Sequence, residues 1–145
     1  MTPSPLVTEF AAALPPGRAL DLACGAGRHA QWLAERGWEV VAIDRVAAPG
    51  VLVMDLESGD PLPFPPEWFD LVLIIHFLHR PLFAEAKRVT RRGGFVIAAI
   101  HTEAKHRFLV KPGELRTFFE DWTIVHDREG GGVAEVIARN QYPRT

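Results

Sequence analysis

Residues 19–45 read ALDLACGAGRHAQWLAERGWEVVAIDR, a pattern of strand, glycine turn, helix and second strand. The apolar run at 19–22 predicts a buried strand that carries Asp21 near its end. Gly25 and Gly27 follow directly, and glycines at such a turn let the backbone approach a ligand closely. The first half of this stretch therefore predicts a ligand site at the end of a buried strand.

The second half of the stretch supports the same site. An apolar stripe at 26–34 predicts a helix that stops at Gly37, and the start of that helix offers unpaired N–H donors and a positive dipole end. A second buried run at 40–43 ends in Asp44, a carboxylate able to accept both hydroxyls of a ribose. Together these features predict a nucleotide-type cofactor site at the carboxyl end of a parallel sheet.

Composition limits the protein class. The chain has 145 residues, 16 basic and 18 acidic side chains and a net charge of −2, which predicts one domain (1–145) and argues against a nucleic-acid partner. Cys24 is the single cysteine, so an intrachain disulfide is excluded and a reducing compartment is expected. We see no signal peptide and no membrane-spanning run, and therefore predict a cytoplasmic protein with no membrane partner.

The remaining pattern alternates strands and helices before a terminal hairpin. We predict helices at 6–14, 82–89 and 112–119, strands at 51–54, 69–75 and 95–100, and a hairpin whose turn spans 127–132. Four prolines within 56–68 exclude a regular helix there, and Gly93–Gly94 is expected to end the helix before it. The predicted fold is α/β, a Rossmann-like three-layer sandwich whose mostly parallel sheet has one antiparallel strand from the C-terminal hairpin.

The glycine turn alone leaves the cofactor open, because residues 25–30 also fit the dinucleotide fingerprint G-x-G-x-x-A. Two observations disfavour a nicotinamide cofactor. Asp21 would place negative charge close to a pyrophosphate, and the single domain that we expect leaves no second domain to hold a substrate. A cofactor that carries positive charge fits Asp21 better.

Several segments together resemble class I S-adenosylmethionine-dependent methyltransferases. The similar segments are ALDLACGAGRHA (19–30, motif I), VVAIDR (40–45), VLVMDLESG (51–59), FDLVLIIHFLHR (69–80, motif IV), VTRRGGFVIAAI (89–100) and HRFLVKPGEL (106–115). The last of these resembles a segment of small bacterial enzymes that are similar to tellurite-resistance methyltransferases. Where that family has Pro before the double glycine, this chain has Arg92.

The resemblance implies S-adenosylmethionine as cofactor and S-adenosylhomocysteine as product. It implies contacts to the methionine part from Asp21 near the ammonium group, from Cys24, Gly25, Ala26 and Gly27 along the backbone, and from His76 and Phe77 beside the sulfonium. For the adenosine part it implies Asp44 at the ribose hydroxyls, Arg45 beside the adenine, and Asp55 and Leu56 at the adenine amino group and ring edge.

The catalytic residue stays unidentified at this stage. Methyl transfer is an in-line displacement that needs alignment and exclusion of water, and a general base is optional. His76, Arg80 and His101 are the candidates. We predict no metal, although His79 and His106 raise the question, because a metal needs three or four convergent ligands.

The acceptor is also open. We expect no large cap domain over the core, which leaves the pocket open on one side. This predicts a small-molecule acceptor, unless a second copy of the chain forms a homodimer and closes the open side of the pocket. Oxygen, nitrogen, sulfur and metalloid nucleophiles all fit the pattern. Arg28 and His29 open the first helix and are expected at solvent, with the alternative that Arg28 meets an anionic substrate or the cofactor carboxylate. A non-catalytic cofactor-binding partner or sensor subunit is the alternative function.

Overall fold

A seven-stranded sheet forms the centre of the computed structural model, which describes residues 2–106 and 109–142. Its strands are β1 (Arg18–Leu22), β2 (Glu39–Asp44), β3 (Val51–Val53), β4 (Phe69–Ile75), β5 (Thr90–His101), β6 (Thr123–Gly130) and β7 (Val133–Arg139). They lie in the order β3-β2-β1-β4-β5-β7-β6. Five neighbouring strands are parallel, and β7 runs antiparallel to both β5 and β6.

Helices cover both faces of this sheet. They are α1 (Pro5–Ala12), α2 (Arg28–Glu35), α3 (Leu82–Val89) and the single turn α4 (Glu114–Thr117). The first two pack on one face, and the last two pack on the other. This arrangement confirms the predicted Rossmann-like α/β fold. None of the described helices is long and apolar enough to cross a lipid bilayer.

Strand β4 has a continuously apolar sequence, and its packing against both helix layers explains this. Leu71, Leu73 and Ile75 face the α1–α2 layer, whereas Val72 and Ile74 face the α3–α4 layer. A parallel strand covered on both faces needs apolar residues at every position. β1 lies between β2 and β4, so consecutive crossovers diverge at its carboxyl end, where ligands bind in sheets of this kind.

The glycine pair after α3 behaves differently from our prediction. Gly93 and Gly94 do not end the helix: α3 ends at Val89, and β5 begins at Thr90 and runs through both glycines. A Cβ at Gly94 would lie 2.9 Å from the carbonyl oxygen of Asp70, so glycine is required where the register with β4 shifts.

Several other boundaries differ from the sequence prediction. α1 spans 5–12 rather than 6–14, and α2 begins at Arg28, which leaves Ala26 in the turn. α4 is one turn rather than a helix over 112–119. The predicted hairpin is confirmed, but its turn is only Gly131–Gly132, whose φ angles of +60° and +80° suit a two-residue turn. Arg107 and Phe108, within the segment 106–115, lie outside the described residues.

We expect Phe119→Ala to destabilise the protein by about 3–5 kcal/mol, because a large aromatic side chain would leave a cavity. Phe119 is fully buried and its ring centroid lies 5.8 Å from that of Phe83. Urea unfolding measures the change. The matched control, Val125→Ala, truncates a side chain that is 48% exposed and should change the stability by under about 0.5 kcal/mol. Equal effects of the two substitutions would contradict the assigned core.

Candidate functional site

Two cavities meet at the carboxyl end of β1, and both are lined by Ala23. The first, of about 270 Å³, is lined also by Asp21, Cys24, Gly25, Ala26, Arg28, His29, Ile75 and His76. The second, of about 130 Å³, is lined also by Asp44, Arg45, Met54, Asp55, Leu56, Glu57 and Phe77. The structure therefore places nearly all of the predicted cofactor residues around two adjoining cavities.

The turn after β1 is a left-handed backbone segment whose amides donate to neighbouring groups. The φ angles of Ala23, Gly25 and Gly27 are +59°, +56° and +83°, a region that favours glycine. The Cys24 N–H donates to the carbonyl of Ile43 at 2.9 Å, which ties the turn to β2. A Cβ at Gly25 or Gly27 would meet no atom within 4 Å, so these glycines are needed for conformation. Gly27 caps α2 and lies outside both cavity linings.

Asp21 is a buried carboxylate with one unsatisfied oxygen. It is 2% exposed, its Oδ2 finds no hydrogen-bond partner among the described residues, and the Ala30 backbone N–H donates to the carboxylate. Burial raises the pKa of Asp21 to about 7, aided by the charge of Asp44 and opposed by Arg28. A buried, unpaired anion is costly, and a cationic ligand in the cavity would compensate it.

Asp44 links the glycine turn to the second cavity. Its Oδ2 accepts the Gly25 N–H at 2.9 Å and its Oδ1 accepts the Val46 N–H at 3.1 Å. A carboxylate has about four acceptor sites, so it retains capacity for ligand hydroxyls. The Met54 N–H donates to the Asp44 carbonyl at 3.0 Å and thereby brings Asp55 to the same edge.

His29 was expected at solvent, and the structure buries it. It is 4% exposed, and its Nε2 accepts the Ser4 N–H at 3.0 Å, which ties the start of α1 to the first cavity. Burial, followed by the charges of Arg28 and His76, lowers the pKa of His29 to about 4. The sequence did carry a signal: His29 and Leu33 are four apart and share one helix face.

Three imidazoles stack at the ends of β4 and β5. Ring centroids of His76 and His101 are 4.3 Å apart, and those of His101 and His106 are 3.6 Å apart, with interplanar angles of 15° and 9°. The sequence suggested His106 only as a possible metal ligand and did not predict this stack. In the part of the chain that the structure describes, no three His, Cys, Asp or Glu side chains are placed to hold a metal ion.

The structure defines the surroundings of two predicted site residues, Arg80 and Cys24. Arg80 lies outside both cavity linings, and its guanidinium makes a two-point contact with Glu114 at 2.5 and 2.9 Å. This hydrogen bonding lowers the pKa of Glu114 to about 2. The Cys24 thiol lies in the first cavity, where burial and the nearby acids raise its pKa to about 11 and keep it protonated.

Comparison with known proteins identifies the class of protein that this fold and site define. Residues 20–98 match the methyltransferase domain family, and the chain belongs to that family. Methyltransferases of this class use S-adenosylmethionine as methyl donor, so the family resemblance and the cofactor it implied are confirmed at the level of the family.

Individual relatives are more distant. The chain is 34% identical to a demethylmenaquinone methyltransferase of Renibacterium salmoninarum over 107 residues, covering 65% of this chain and 45% of that protein. It is 25% identical to hemagglutinin 1 of Eikenella corrodens over 152 residues, covering 88% of this chain and 51% of that protein. The chain thus spans about half the length of the curated relatives it matches.

Solved structures confirm the fold. TehB of Haemophilus influenzae superposes with a TM-score of 0.79 at 19% identity, over 93% of this chain and 61% of that one. A 1,6-didemethyltoxoflavin N1-methyltransferase of Burkholderia thailandensis gives a TM-score of 0.71 at 19% identity, over 93% and 76% of the two chains. That structure holds 1,6-didemethyltoxoflavin and S-adenosylhomocysteine.

We expect Asp21→Asn to stabilise the ligand-free protein at pH 8 by about 1–3 kcal/mol. The folded-state pKa of Asp21 is raised from 3.8 to about 7, so the native state binds more protons across that window and its stability falls as the pH rises. Urea unfolding at pH 5 and pH 8 measures the difference. His29 contributes equally to both proteins and cancels.

Asp60→Asn is the control for this prediction, because it neutralises an exposed acid that lines neither cavity. It should leave stability unchanged within about 0.5 kcal/mol at both pH values. A stabilisation by Asp21→Asn that is the same at pH 5 and pH 8 would show that the buried charge is not its cause.

Proposed function

We propose that this chain binds S-adenosylmethionine across the two adjoining cavities and transfers its methyl group to a small-molecule acceptor. The observation that carries the proposal is the buried Oδ2 of Asp21, which lacks a partner among the described residues and belongs to the wall of the larger cavity. An ammonium group is a cationic donor that satisfies such an oxygen.

Each part of the cofactor then meets residues of matching chemistry. Asp21 takes the ammonium group and Arg28 offers positive charge to the amino-acid carboxylate in the same cavity. Asp44 accepts the ribose hydroxyls. The residues proposed for the methionine chain are Cys24, Gly25, Ala26 and Gly27, those for the adenine are Arg45, Asp55 and Leu56, and His76 and Phe77 border the reacting centre.

The cofactor supplies a methyl group that is already activated on a positively charged sulfur. The protein therefore has to align a nucleophile and exclude water, which is positioning work. A small acceptor is supported by the small molecule bound in the Burkholderia thailandensis enzyme. We also propose that a second copy of the chain, in a homodimer, completes the acceptor side of the site.

We expect Asp44→Ala to weaken S-adenosylmethionine binding by about 10- to 100-fold, since lost charge-assisted hydrogen bonds are worth about 1.5–3 kcal/mol. Isothermal titration calorimetry on the chain measures the affinities for S-adenosylmethionine, S-adenosylhomocysteine and NAD. The control Asp60→Asn should bind like the original protein. Unchanged donor affinity in Asp44→Ala refutes the site, and binding of NAD alone refutes the proposed cofactor.

A turnover measurement distinguishes a methyltransferase from a non-catalytic cofactor-binding subunit. Radiolabelled S-adenosylmethionine is incubated with a panel of small hydroxyl, thiol and amine acceptors, and S-adenosylhomocysteine is quantified. Product formation that is lost in Asp44→Ala supports the methyltransferase. Tight donor binding with no turnover of any acceptor favours the non-catalytic binding subunit.

A further inference from the structure

The histidine stack begins inside the proposed cofactor site and extends away from it. His76 lines the larger cavity and follows β4 directly, and its backbone N–H donates to the Ala99 carbonyl at 2.7 Å. His101 ends β5, and His106 lies in the following loop, where its N–H donates to the Glu103 carbonyl at 3.1 Å. The stack therefore runs from the larger cavity, which His76 lines, to the loop after β5.

His76 is held in an uncommon state. Its φ angle is +58°, although it is not glycine, and its Nδ1 is buried with no hydrogen-bond partner among the described residues. A strained backbone and an unsatisfied buried nitrogen both cost stability. Such costs concentrate at functional sites, and a neutral imidazole has one ring nitrogen whose lone pair can accept a proton.

The surroundings of His76 and His101 favour the neutral form of both rings. Burial lowers the pKa of His76, and the charges of His101, Arg28 and His106 lower it further. His29 on α2 and Asp21 on β1 line the same cavity, and Glu103 and Lys105 act on His101, whose pKa is also lowered chiefly by burial. Protonation of one ring disfavours protonation of its neighbours.

We propose that His76, His101 and His106 form one wall of the methyl-acceptor site and that His76 takes the proton of a hydroxyl or thiol acceptor. This inference rests on the proposed function. The oxygen or sulfur of the acceptor forms a bond to the methyl carbon, and the carbon–sulfur bond of the donor breaks with its electron pair on sulfur. The acceptor proton goes to His76, and then to water.

Charge balance supports this assignment. The donor loses its positive charge when the methyl group leaves, and His76 gains one when it takes the proton. The site therefore holds the same charge before and after transfer, and protonation of His76 becomes easier as the sulfonium disappears. His101 and His106 are positioning residues, because they act on the acceptor proton only through His76.

The acceptor class follows from the same chemistry. A hydroxyl or thiol has to lose a proton during transfer, so a neighbouring base accelerates it. An aprotic nitrogen nucleophile has no proton to lose and gains nothing from His76. The proposed base therefore favours acidic hydroxyls and thiols as acceptors, and the second test below distinguishes these two classes.

The first test uses donor and product alone. Calorimetry gives the ratio of the dissociation constants of S-adenosylmethionine and S-adenosylhomocysteine at pH 7.5 and 4.5, because the pKa of His76 lies below its usual value of 6.5. Both ligands carry the same ammonium group, so the titration of Asp21 and the repulsion between protonated His76 and the ammonium group cancel in the ratio. We expect acidification to raise this ratio about three- to tenfold, because protonated His76 also repels the sulfonium that only S-adenosylmethionine carries.

Matched variants make this test decisive. His76→Asn, with a residue that tolerates a left-handed backbone, should give a ratio independent of pH. His126→Gln, on the distant hairpin, should behave like the original protein. His101→Phe keeps an aromatic ring in the stack, and NMR titration should show a raised pKa of His76. A pH-independent ratio in the original protein overturns the inference alone, whereas failure to bind either ligand overturns the proposed function as well.

The second test identifies the acceptor chemistry with three probes: phenol, 2-mercaptoethanol and pyridine, which has no proton to lose. We expect turnover of phenol or 2-mercaptoethanol, and a decrease in kcat of about 100-fold in His76→Asn with donor affinity retained at pH 7.5. The active probe distinguishes hydroxyl from thiol. Turnover of pyridine alone, no turnover by a donor-binding chain, or an unchanged kcat in His76→Asn each overturns the inference.

Discussion

A buried carboxylate with one unsatisfied oxygen, at the end of a central strand, is the constraint on which the rest of the site depends. The central position of β1 removes Asp21 from water, and the start of α2 provides the Ala30 N–H as a partner for the carboxylate. The protein thus gives up stability to hold a negative charge where a positively charged ligand is needed. Proteins commonly accept such costs at binding sites. The glycine turn follows from this constraint, because the chain must leave β1 without covering the carboxylate.

Backbone strain at two neighbouring strand ends shapes the opening above Asp21. Ala23 after β1 and His76 after β4 both have left-handed φ angles, and β1 and β4 pair directly, with Leu22 beside Ile74. Each residue turns the chain away from the sheet immediately after its strand. The result is a gap between the two exits, and the described cavities meet there. Strain of this kind persists only when surrounding structure enforces it, as the buried strands do here.

Local patterns allowed most of the fold to be predicted, and contacts between distant segments account for the errors. The bounds of β4 and α3 matched because a continuous apolar run and a helical stripe each depend on nearby residues. β5 was predicted too short because the need for Gly94 arises from Asp70 on another strand. The imidazole stack could not be predicted, since it depends on where the ends of β4 and β5 and the loop after β5 meet in space.

The distribution of charge along the sheet edge favours one orientation of the donor that we propose binds there. Asp44 and Asp55 line the smaller cavity, Asp21 lines the larger one, and the stacked imidazoles extend beyond His76. A ligand with hydroxyls at one end and an ammonium group at the other satisfies this sequence of groups in only one orientation. In the binding mode that we propose, the sulfonium of the donor faces His76, which adds no positive charge while it is neutral. The same burial that makes the charge of Asp21 costly lowers the pKa of His76 and His101, so under the proposed function one desolvated edge would both attract the donor and keep a base available beside it.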